Sequence, residues 1–272
     1  MGIARETAPE IDRLVLSVWD LGPERSGRLA ELARERGLES LDLLPHFADF
    51  LLAGVLTSEL ATLRMRYRRS SKVLARLDEL QAMHFIRRDE DGFAASPTSR
   101  PLLEGLLAAR AERAAELWGG HDEDVATATE VAGRIGHAAS VDHMVAVAHR
   151  RLPEPADPYH RLGHRLLTLR YIRQHDHAEA WLARGLTAPD MVLMTQLWHT
   201  DQTPAPMDVL ARVVELGFVE ADPLRLTVTG REVREAIETE TDERAQQAFN
   251  VLDSPAAARF LAALQRLPGT IG

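Results

Sequence analysis

Apolar residues recur at helical spacing along most of the chain, and the signal is strongest between Asp157 and Gly185. Asp157 is a good N-cap residue, Pro158 suits the first helical position, and Gly185 suits a left-handed C-terminal stop. At about 100° per residue, the side chains form two sets: Leu162, Leu166 and Leu169 on one side, and His160, His164, Leu167, Tyr171, His175, Ala178 and Leu182 on the other. The sequence therefore predicts a long central helix that is covered on both sides.

The first hundred residues predict short helices followed by a hairpin. Apolar spacing indicates helices over Pro9–Asp20, Ser26–Arg36 and Pro45–Leu56, the last of which is apolar apart from His46 and Asp49. A fourth helix is capped by Ser70 or Ser71 and ends near Leu80. An alternating stretch then turns at Asp91–Gly92, and another helix starts at Arg100. This order of elements is typical of a winged helix.

The same order recurs near the C-terminus, which indicates an internal repeat. The matching segments are Val73–Arg76 with Val209–Arg212, Glu79–Leu80 with Glu215–Leu216, Phe85–Ile86 with Phe218–Val219, and Thr98–Arg100 with Thr229–Arg231. The second copy is degenerate, since HTDQTPAP leaves little room for its middle helix and its basic residues are lost. A capping box from Thr229 to Glu232 opens its last helix.

Between the copies we expect one helix from about Val125 to Arg151, then a proline hinge, then the central helix. The predicted fold class is mainly α, with two winged-helix-like lobes in a pseudo-twofold repeat around a central helical pair and small β wings. The predicted domains are residues 1–120, 121–186 and 187–272.

Composition narrows the function classes. The chain has no cysteine, so any metal site would need His, Asp or Glu ligands. It has no apolar run long enough to span a bilayer and no signal peptide, so we expect a cytoplasmic protein with no membrane partner, either a monomer or a homodimer. The net charge of -9 disfavours general affinity for nucleic acid.

One basic run opposes that acidic total. Arg66, Arg68, Arg69 and Lys72 precede or begin the predicted recognition helix, where phosphate contacts are usually made. The alternative is a solvated arginine face without a partner. We expect DNA binding to be weak.

Eight of the 11 histidines lie between His121 and His177. His160 and His164 are spaced to hold one metal ion from a single helical turn. An organic ligand pocket is the second interpretation, and its predicted residues are His137, Met144, His160, His164, Tyr171, His175 and Trp181. The third is a polar stripe whose hydrogen bonds are satisfied internally. No particular cofactor is indicated.

The stretch from LRYIRQHDHAEAWLARG to the segment LARVVELGFVEADPLRLTVTGREVREA resembles an actinobacterial family of SalK-like or helix-turn-helix proteins. The family motif resembles R-x-H-R-G-D-x-H-x-A, onto which Arg173, His175, Asp176, His177 and Ala178 can be placed, although this chain lacks the Arg-Gly insertion. The resemblance implies a helix-turn-helix fold and, because such proteins often lie near specialised-metabolite genes, a role in specialised metabolism.

Two functions follow from these observations. The first is a small-molecule-binding protein of winged-helix ancestry, acting as a ligand-responsive transcriptional regulator whose ligand is an aromatic or polyketide-like metabolite. The second is an enzyme of specialised metabolism that performs acid–base or metal-assisted chemistry in the same pocket. Its predicted catalytic residues are His164, His175, Asp176 and Tyr171.

Overall fold

The computed structural model describes residues 2–90, 92–199 and 206–269. Within these residues the chain forms thirteen helices: α1 Ile3–Trp19, α2 Gly22–Arg34, α3 Leu44–Ala53, α4 Ser58–Arg64, α5 Ser70–Ala82, α6 Arg100–Trp118, α7 Asp122–His137, α8 Met144–Arg150, α9 Pro158–Leu182, α10 Ala188–His199, α11 Met207–Glu215, α12 Val228–Phe249 and α13 Ser254–Arg266. Two antiparallel hairpins join them: β1 Ile86–Asp89 with β2 Gly92–Ala95, and β3 Val219–Ala221 with β4 Leu224–Leu226. The mainly helical class with two small hairpins is therefore confirmed.

The central helix α9 forms as predicted. Asp157 caps it by accepting a hydrogen bond from the backbone N–H of His160 at 2.7 Å, and Gly185 follows its end in the left-handed conformation, with φ of 69°. Helices α1, α6, α7, α8 and α12 all pack against α9. None of the helices in the described ranges is long and apolar enough to cross a membrane.

The prediction of one helix from Val125 to Arg151 is wrong. Helix α7 ends at His137, and residues 138–143 turn before α8 starts at Met144. In this turn the hydroxyl of Ser140 accepts from the backbone N–H of Asp142, and the carbonyl of Ser140 accepts from that of His143. Ser and Asp side chains favour such local bonds over a continuing helix.

Two predicted caps are also wrong. Helix α5 starts at Ser70, so its N-cap is Arg69, which makes no side-chain capping bond. Helix α12 begins earlier than the expected capping box, because the Thr227 hydroxyl accepts from the N–H of Gly230 at 2.9 Å.

We call α3 to β2 the first hairpin unit, and α10, α11, β3 and β4 the second hairpin unit. The first hairpin unit has the connectivity expected of a winged helix. Helix α3 leads to an isolated β-bridge between Leu56 and Phe93, and then come α4, α5 and the β1–β2 hairpin. The turn between α4 and α5 spans residues 65–69, so the predicted nucleic-acid-binding residues lie in this turn and at the start of α5.

The hairpins of the two units close with similar backbone bonds. After α5, the N–H of Phe85 donates to the Leu80 carbonyl, and after α11, that of Phe218 donates to the Val213 carbonyl. Leu80 is buried, whereas Leu216, its expected counterpart, is 41% exposed. The bonds thus pair Leu80 with Val213 rather than with Leu216. Helix α11 is shorter than α5, and the difference lies toward its C-terminal end. The middle of HTDQTPAP, residues 200–205, lies outside the described residues.

The buried apolar residues form two clusters. The larger draws on α1 to α8, the β1–β2 hairpin, α9 as far as Ile172, and α12 and α13, while the smaller joins the end of α9 to α10, α11, β3, β4 and α12. The division into domains 1–120, 121–186 and 187–272 stays a prediction.

Gly230 provides a test of how tightly the second hairpin packs on α12. A Cβ at this position would lie 2.0 Å from the Phe218 carbonyl oxygen. We expect Gly230→Ala to lower the free energy of unfolding by about 2 kcal/mol or more in urea titrations, since the methyl group would force the packed backbone at Phe218 to move. The control is Gly27→Ala in α2, where no atom lies within 4 Å and alanine should stabilise the helix by about 0.5–1 kcal/mol. Equal effects at the two positions would contradict this packing.

Candidate functional site

The face of α9 that carries His164 and Tyr171 meets a group of buried polar side chains. We call it the core cluster and define it as His46, Arg64, Arg110, His149 and His164. Arg64 and Arg110 are each 5% exposed, and His149 is fully buried. Five helices supply these residues: α3, α4, α6, α8 and α9. Charged residues are rarely this buried unless they are paired, so the core cluster needs an explanation.

The two imidazoles at the centre of the core cluster are stacked. The rings of His149 and His164 lie 4.1 Å apart, and Nδ1 of His149 is 2.8 Å from the Thr168 hydroxyl. The buried Nε2 atoms of both rings lack a hydrogen-bond partner among the described residues. An unpartnered buried nitrogen costs about 1–3 kcal/mol, so a ligand or water that bonds to these nitrogens would remove the cost.

The two arginines lie against aromatic rings. The guanidinium of Arg110 is 4.1 Å from the Trp19 ring centre, and that of Arg64 is 4.6 Å from the Tyr171 ring centre. Arg110 donates to the Pro45 carbonyl and lies 3.6 Å from the Asp49 carboxylate. Arg64 Nη2 lies 3.3 Å from Nδ1 of His46, and its buried Nε has no partner in the described part of the chain.

Burial and the arginines keep the histidines neutral. Burial, followed by the charges of Arg64 and Arg110, lowers the pKa of His46 to about 3. Burial also lowers the pKa of His149 and of His164. Two permanent guanidinium charges therefore face one carboxylate, that of Asp49, and the core cluster has an excess of positive charge.

Solvent reaches the core cluster through an entrance cavity of about 440 Å³. Its wall includes Leu52, Leu107 and Leu152, together with Asp49, His160 and His164. The last three residues also line an inner cavity of about 20 Å³ next to Trp19, Arg110 and His149. The inner space fits about one water molecule, so a ligand would lie in the entrance cavity and direct one polar group inward.

A second group lies at the other end of α8, and we call it the His–His–Asp cluster: His143, His175 and Asp176. Nε2 of His143 is 3.0 Å from Oδ1 of Asp176, and the rings of His143 and His175 are 4.8 Å apart. One potential ligand atom from each residue lies within 4.8 Å of the others. The turn that ends α7 is what brings His143 against α9.

A third group lines a cleft of about 420 Å³ between α1, α9, α10 and α12. The Tyr67 hydroxyl is 2.6 Å from Nδ1 of His177, whose Nε2 is 3.3 Å from Glu238. Burial raises the pKa of Glu238, but the nearby His177 and the charges of Arg234 and Arg173 outweigh burial and leave that pKa lowered. Four residues that can be placed on the motif of the resembling family thus lie in two sites. Arg173 and His177 line this cleft, whereas His175 and Asp176 belong to the His–His–Asp cluster.

The four predicted catalytic residues do not form one site. His164 and Tyr171 belong with the core cluster, while His175 and Asp176 lie beside His143. His164 and His175 share a face of α9, but eleven residues separate them by about 16 Å along the helix axis.

The predicted ligand-binding residues divide in the same way. His160 and His164 line the entrance cavity, and Tyr171 packs edge-on against His149 at 5.0 Å. His137 and Met144 are exposed, because the turn at residues 138–143 separates their helices, and Trp181 lies in the smaller apolar cluster. The predicted metal pair, His160 and His164, lines the entrance cavity, but the described residues place no third metal-ligating side chain within reach of the pair. In the described part of the chain, only the His–His–Asp cluster brings three potential metal ligands together.

The four predicted nucleic-acid-binding residues lie in two environments. Arg66 is half-buried, its Nε donates to the Leu63 carbonyl, and burial lowers its pKa. The other three are exposed. Arg68 pairs with Asp42 at 3.0 Å, and Arg69 pairs with Asp208 of α11 at 3.1 Å. Any phosphate must therefore compete with carboxylates at two of these positions.

The neutral histidines of the core cluster make stability depend on pH. The unfolded chain binds more protons than the folded chain between about pH 6.5, the ordinary histidine pKa, and the pKa of His46, about 3. The free energy of unfolding should have its highest value above this pH window. It should fall as the pH falls through the window, by up to about 1.4 kcal/mol per pH unit for each histidine.

Urea unfolding at about pH 7.5 and about pH 5.5 checks this dependence. His46→Asn keeps an acceptor for Arg64 and should reduce the loss, and His84→Asn controls for the removal of a surface histidine. Equal losses in wild type and His46→Asn would contradict the assignment.

Comparison with known proteins identifies a family for the chain. No curated protein and no solved structure matches the chain. A profile of a helix-turn-helix family matches residues 94–271, which begin in β2 and include both α9 and the second hairpin unit. The match covers more than half of the 272 residues. The chain therefore belongs to this helix-turn-helix family.

Proposed function

We propose that the protein is a helix-turn-helix regulator that binds a small organic anion at the core cluster. The observation that carries this proposal is the excess of buried positive charge: among the described residues Arg110 pairs with the carboxylate of Asp49, and Arg64 forms no ion pair with a carboxylate. Strongly perturbed ionisable groups beside a cavity are typical of functional sites.

Charge energetics support an anionic ligand. An uncompensated buried charge costs several kcal/mol, and contacts with Trp19 and Tyr171 offset only about 2 kcal/mol for each cation. A bound carboxylate would supply the missing negative charge and accept from the arginines in charge-assisted hydrogen bonds. The neutral histidines add nitrogen atoms that can donate or accept without adding charge.

The entrance cavity suits an aromatic acid. Its volume of about 440 Å³ lies in the range of small-molecule sites. Leucine side chains line one part of the cavity, and imidazoles line another together with the carboxylates of Asp49 and Asp157. A flat apolar body can occupy the cavity while its own carboxylate points toward the inner space beside Arg110. This chemistry supports the metabolite-binding hypothesis without identifying the metabolite.

Arg64 lines neither the entrance cavity nor the inner cavity, but it contacts His46 and Tyr171, and we propose that it couples the ligand site to the DNA-binding unit. It is the last residue of α4, and the turn that follows it leads directly to Arg68, Arg69 and α5. A ligand that engages Arg64 therefore acts on the helix that positions the recognition helix. Binding can shift the unit between two arrangements only if the ligand has a different affinity for each.

We also propose that the two hairpin units are tandem winged-helix-like copies in a pseudo-twofold relation. The matching closing bonds at Phe85 and Phe218 support this, as do the equivalent bonds that open the next helices, from Ser99 N–H to Ser96 and from Gly230 N–H to Thr227. The Arg69–Asp208 pair joins the starts of α5 and α11. Only the first unit presents a basic turn, so DNA contact belongs to that unit.

The ligand proposal is tested with naphthoate and its uncharged analogue naphthamide. We expect calorimetry to show that naphthoate binds more tightly than naphthamide, because the arginines form stronger hydrogen bonds with a charged carboxylate than with a neutral amide. Arg64→Met should weaken naphthoate binding by about 1.5–3 kcal/mol. Asp49→Asn should strengthen it, because the competing carboxylate is gone, and this gain cannot arise from misfolding. If the amide binds as well as the acid, or if Asp49→Asn weakens binding, the anion site is refuted.

The DNA proposal is tested by releasing Arg69. Wild-type binding to a fluorescent duplex should be weak at physiological salt. Asp208→Asn removes the partner of Arg69, and because an exposed ion pair is worth about 1 kcal/mol or less, DNA affinity should rise by up to about fivefold, with a steeper salt dependence. Glu243→Gln, on the exposed side of α12, is the control with the same change in net charge. An equal gain in both variants would mean that only total charge matters.

A further inference from the structure

The His–His–Asp cluster combines ligand types that hold transition-metal ions in proteins. Two imidazoles and one carboxylate come together here from two separate parts of the chain, the start of α8 and the middle of α9. Such a set binds zinc or iron and leaves at least one coordination position open. Neither the family match nor the proposed anion site accounts for this grouping.

Two buried atoms of the cluster have no partner in the described residues. They are Nδ1 of His143 and Oδ2 of Asp176. The side chain of Asp176 is 7% exposed, so this carboxylate oxygen is withdrawn from water without a compensating hydrogen bond. Such an orphaned acceptor is costly, and a cation bound to the carboxylate would remove the cost.

The spacing of the ligand atoms is close to that of a metal site. Bonds of about 2.0–2.2 Å to nitrogen and oxygen place neighbouring ligand atoms of a tetrahedral site about 3.3 Å apart. Nε2 of His143 and Oδ1 of Asp176 are already 3.0 Å apart, and the three ligand atoms lie within 4.8 Å. Binding therefore requires the half-buried ring of His175 to move closer to the other two ligand atoms.

The ionisable side chains around His175 are of both signs. Asp176 and Glu179 contribute negative charge and Arg66 contributes positive charge, and a protonated His143 would add to the positive side. Glu179 lies four residues after His175, and therefore on the same side of α9. Two carboxylates thus lie near the cluster beside one guanidinium.

We propose that His143, His175 and Asp176 bind one divalent transition-metal ion. The site is independent of the core cluster, although α8 joins them: His143 precedes its first residue, and His149 lies near its end. An ion held at His143 would fix the start of the helix that carries His149 to the core cluster.

The test uses zinc with untagged protein that has been dialysed against a chelator. Calorimetry should show one Zn²⁺ per chain. His143→Ala, His175→Ala and Asp176→Asn should each weaken binding by at least about tenfold, since even indirect partners of metal ligands are worth this much. Asp176→Asn preserves side-chain size, and circular dichroism establishes that each variant is folded. The control is His137→Ala, which removes an exposed histidine near the same turn and should leave zinc affinity unchanged.

Three results would overturn the proposal. They are no zinc binding by the wild type, binding that all three ligand variants retain, and binding that only His137→Ala abolishes. The last two would assign the ion to surface histidines. Because naphthoate binding is measured separately, failure of the metal site leaves the anion site standing, and the reverse also holds.

Discussion

Helix α9 is enclosed by five other helices, and this enclosure decides where the chemistry of the molecule lies. An exposed helix can satisfy its polar side chains with water, but His164, Thr168, Tyr171 and Asp176 are buried and need partners within the protein. Neighbouring elements supply those partners: His149 from α8, Arg64 from the end of α4, and His143 from the turn before α8. The polar clusters are therefore a consequence of surrounding a histidine-rich helix, and their unsatisfied atoms mark where a ligand can complete them.

The sequence predicted α9 well, because both ends carry local signals and its apolar period is long. Its covered polar face was also predicted, since His164 and Tyr171 share a helical face. The break at residues 138–143 was missed because Ser140 and Asp142 are weak helix breakers that act through local side-chain bonds. That error misplaced His137 and Met144, and it concealed His143, whose position depends on the break.

Arg64 and Arg110 were missed for a different reason. Arginine usually lies at the surface, and periodicity alone does not reveal which arginines are buried. A signal nevertheless existed for the partner of Arg110, since Asp49 interrupts the apolar helix α3. His46 stood out in the sequence only as a polar residue in an apolar helix, yet its pKa responds to both arginines. Contacts between distant segments, such as Tyr67 with His177, leave no pattern in a single sequence.

We propose that anion binding at the core cluster is coupled through Arg64 to DNA binding by the first hairpin unit. Fluorescence anisotropy of DNA binding, measured with and without saturating naphthoate in wild type and in Arg64→Met, tests this coupling. We expect naphthoate to change the DNA dissociation constant of the wild type by a factor of about 5 or more. We expect DNA to change naphthoate affinity by the same factor, and Arg64→Met to remove the coupling. An unchanged DNA affinity in a protein that binds both molecules would contradict the coupling.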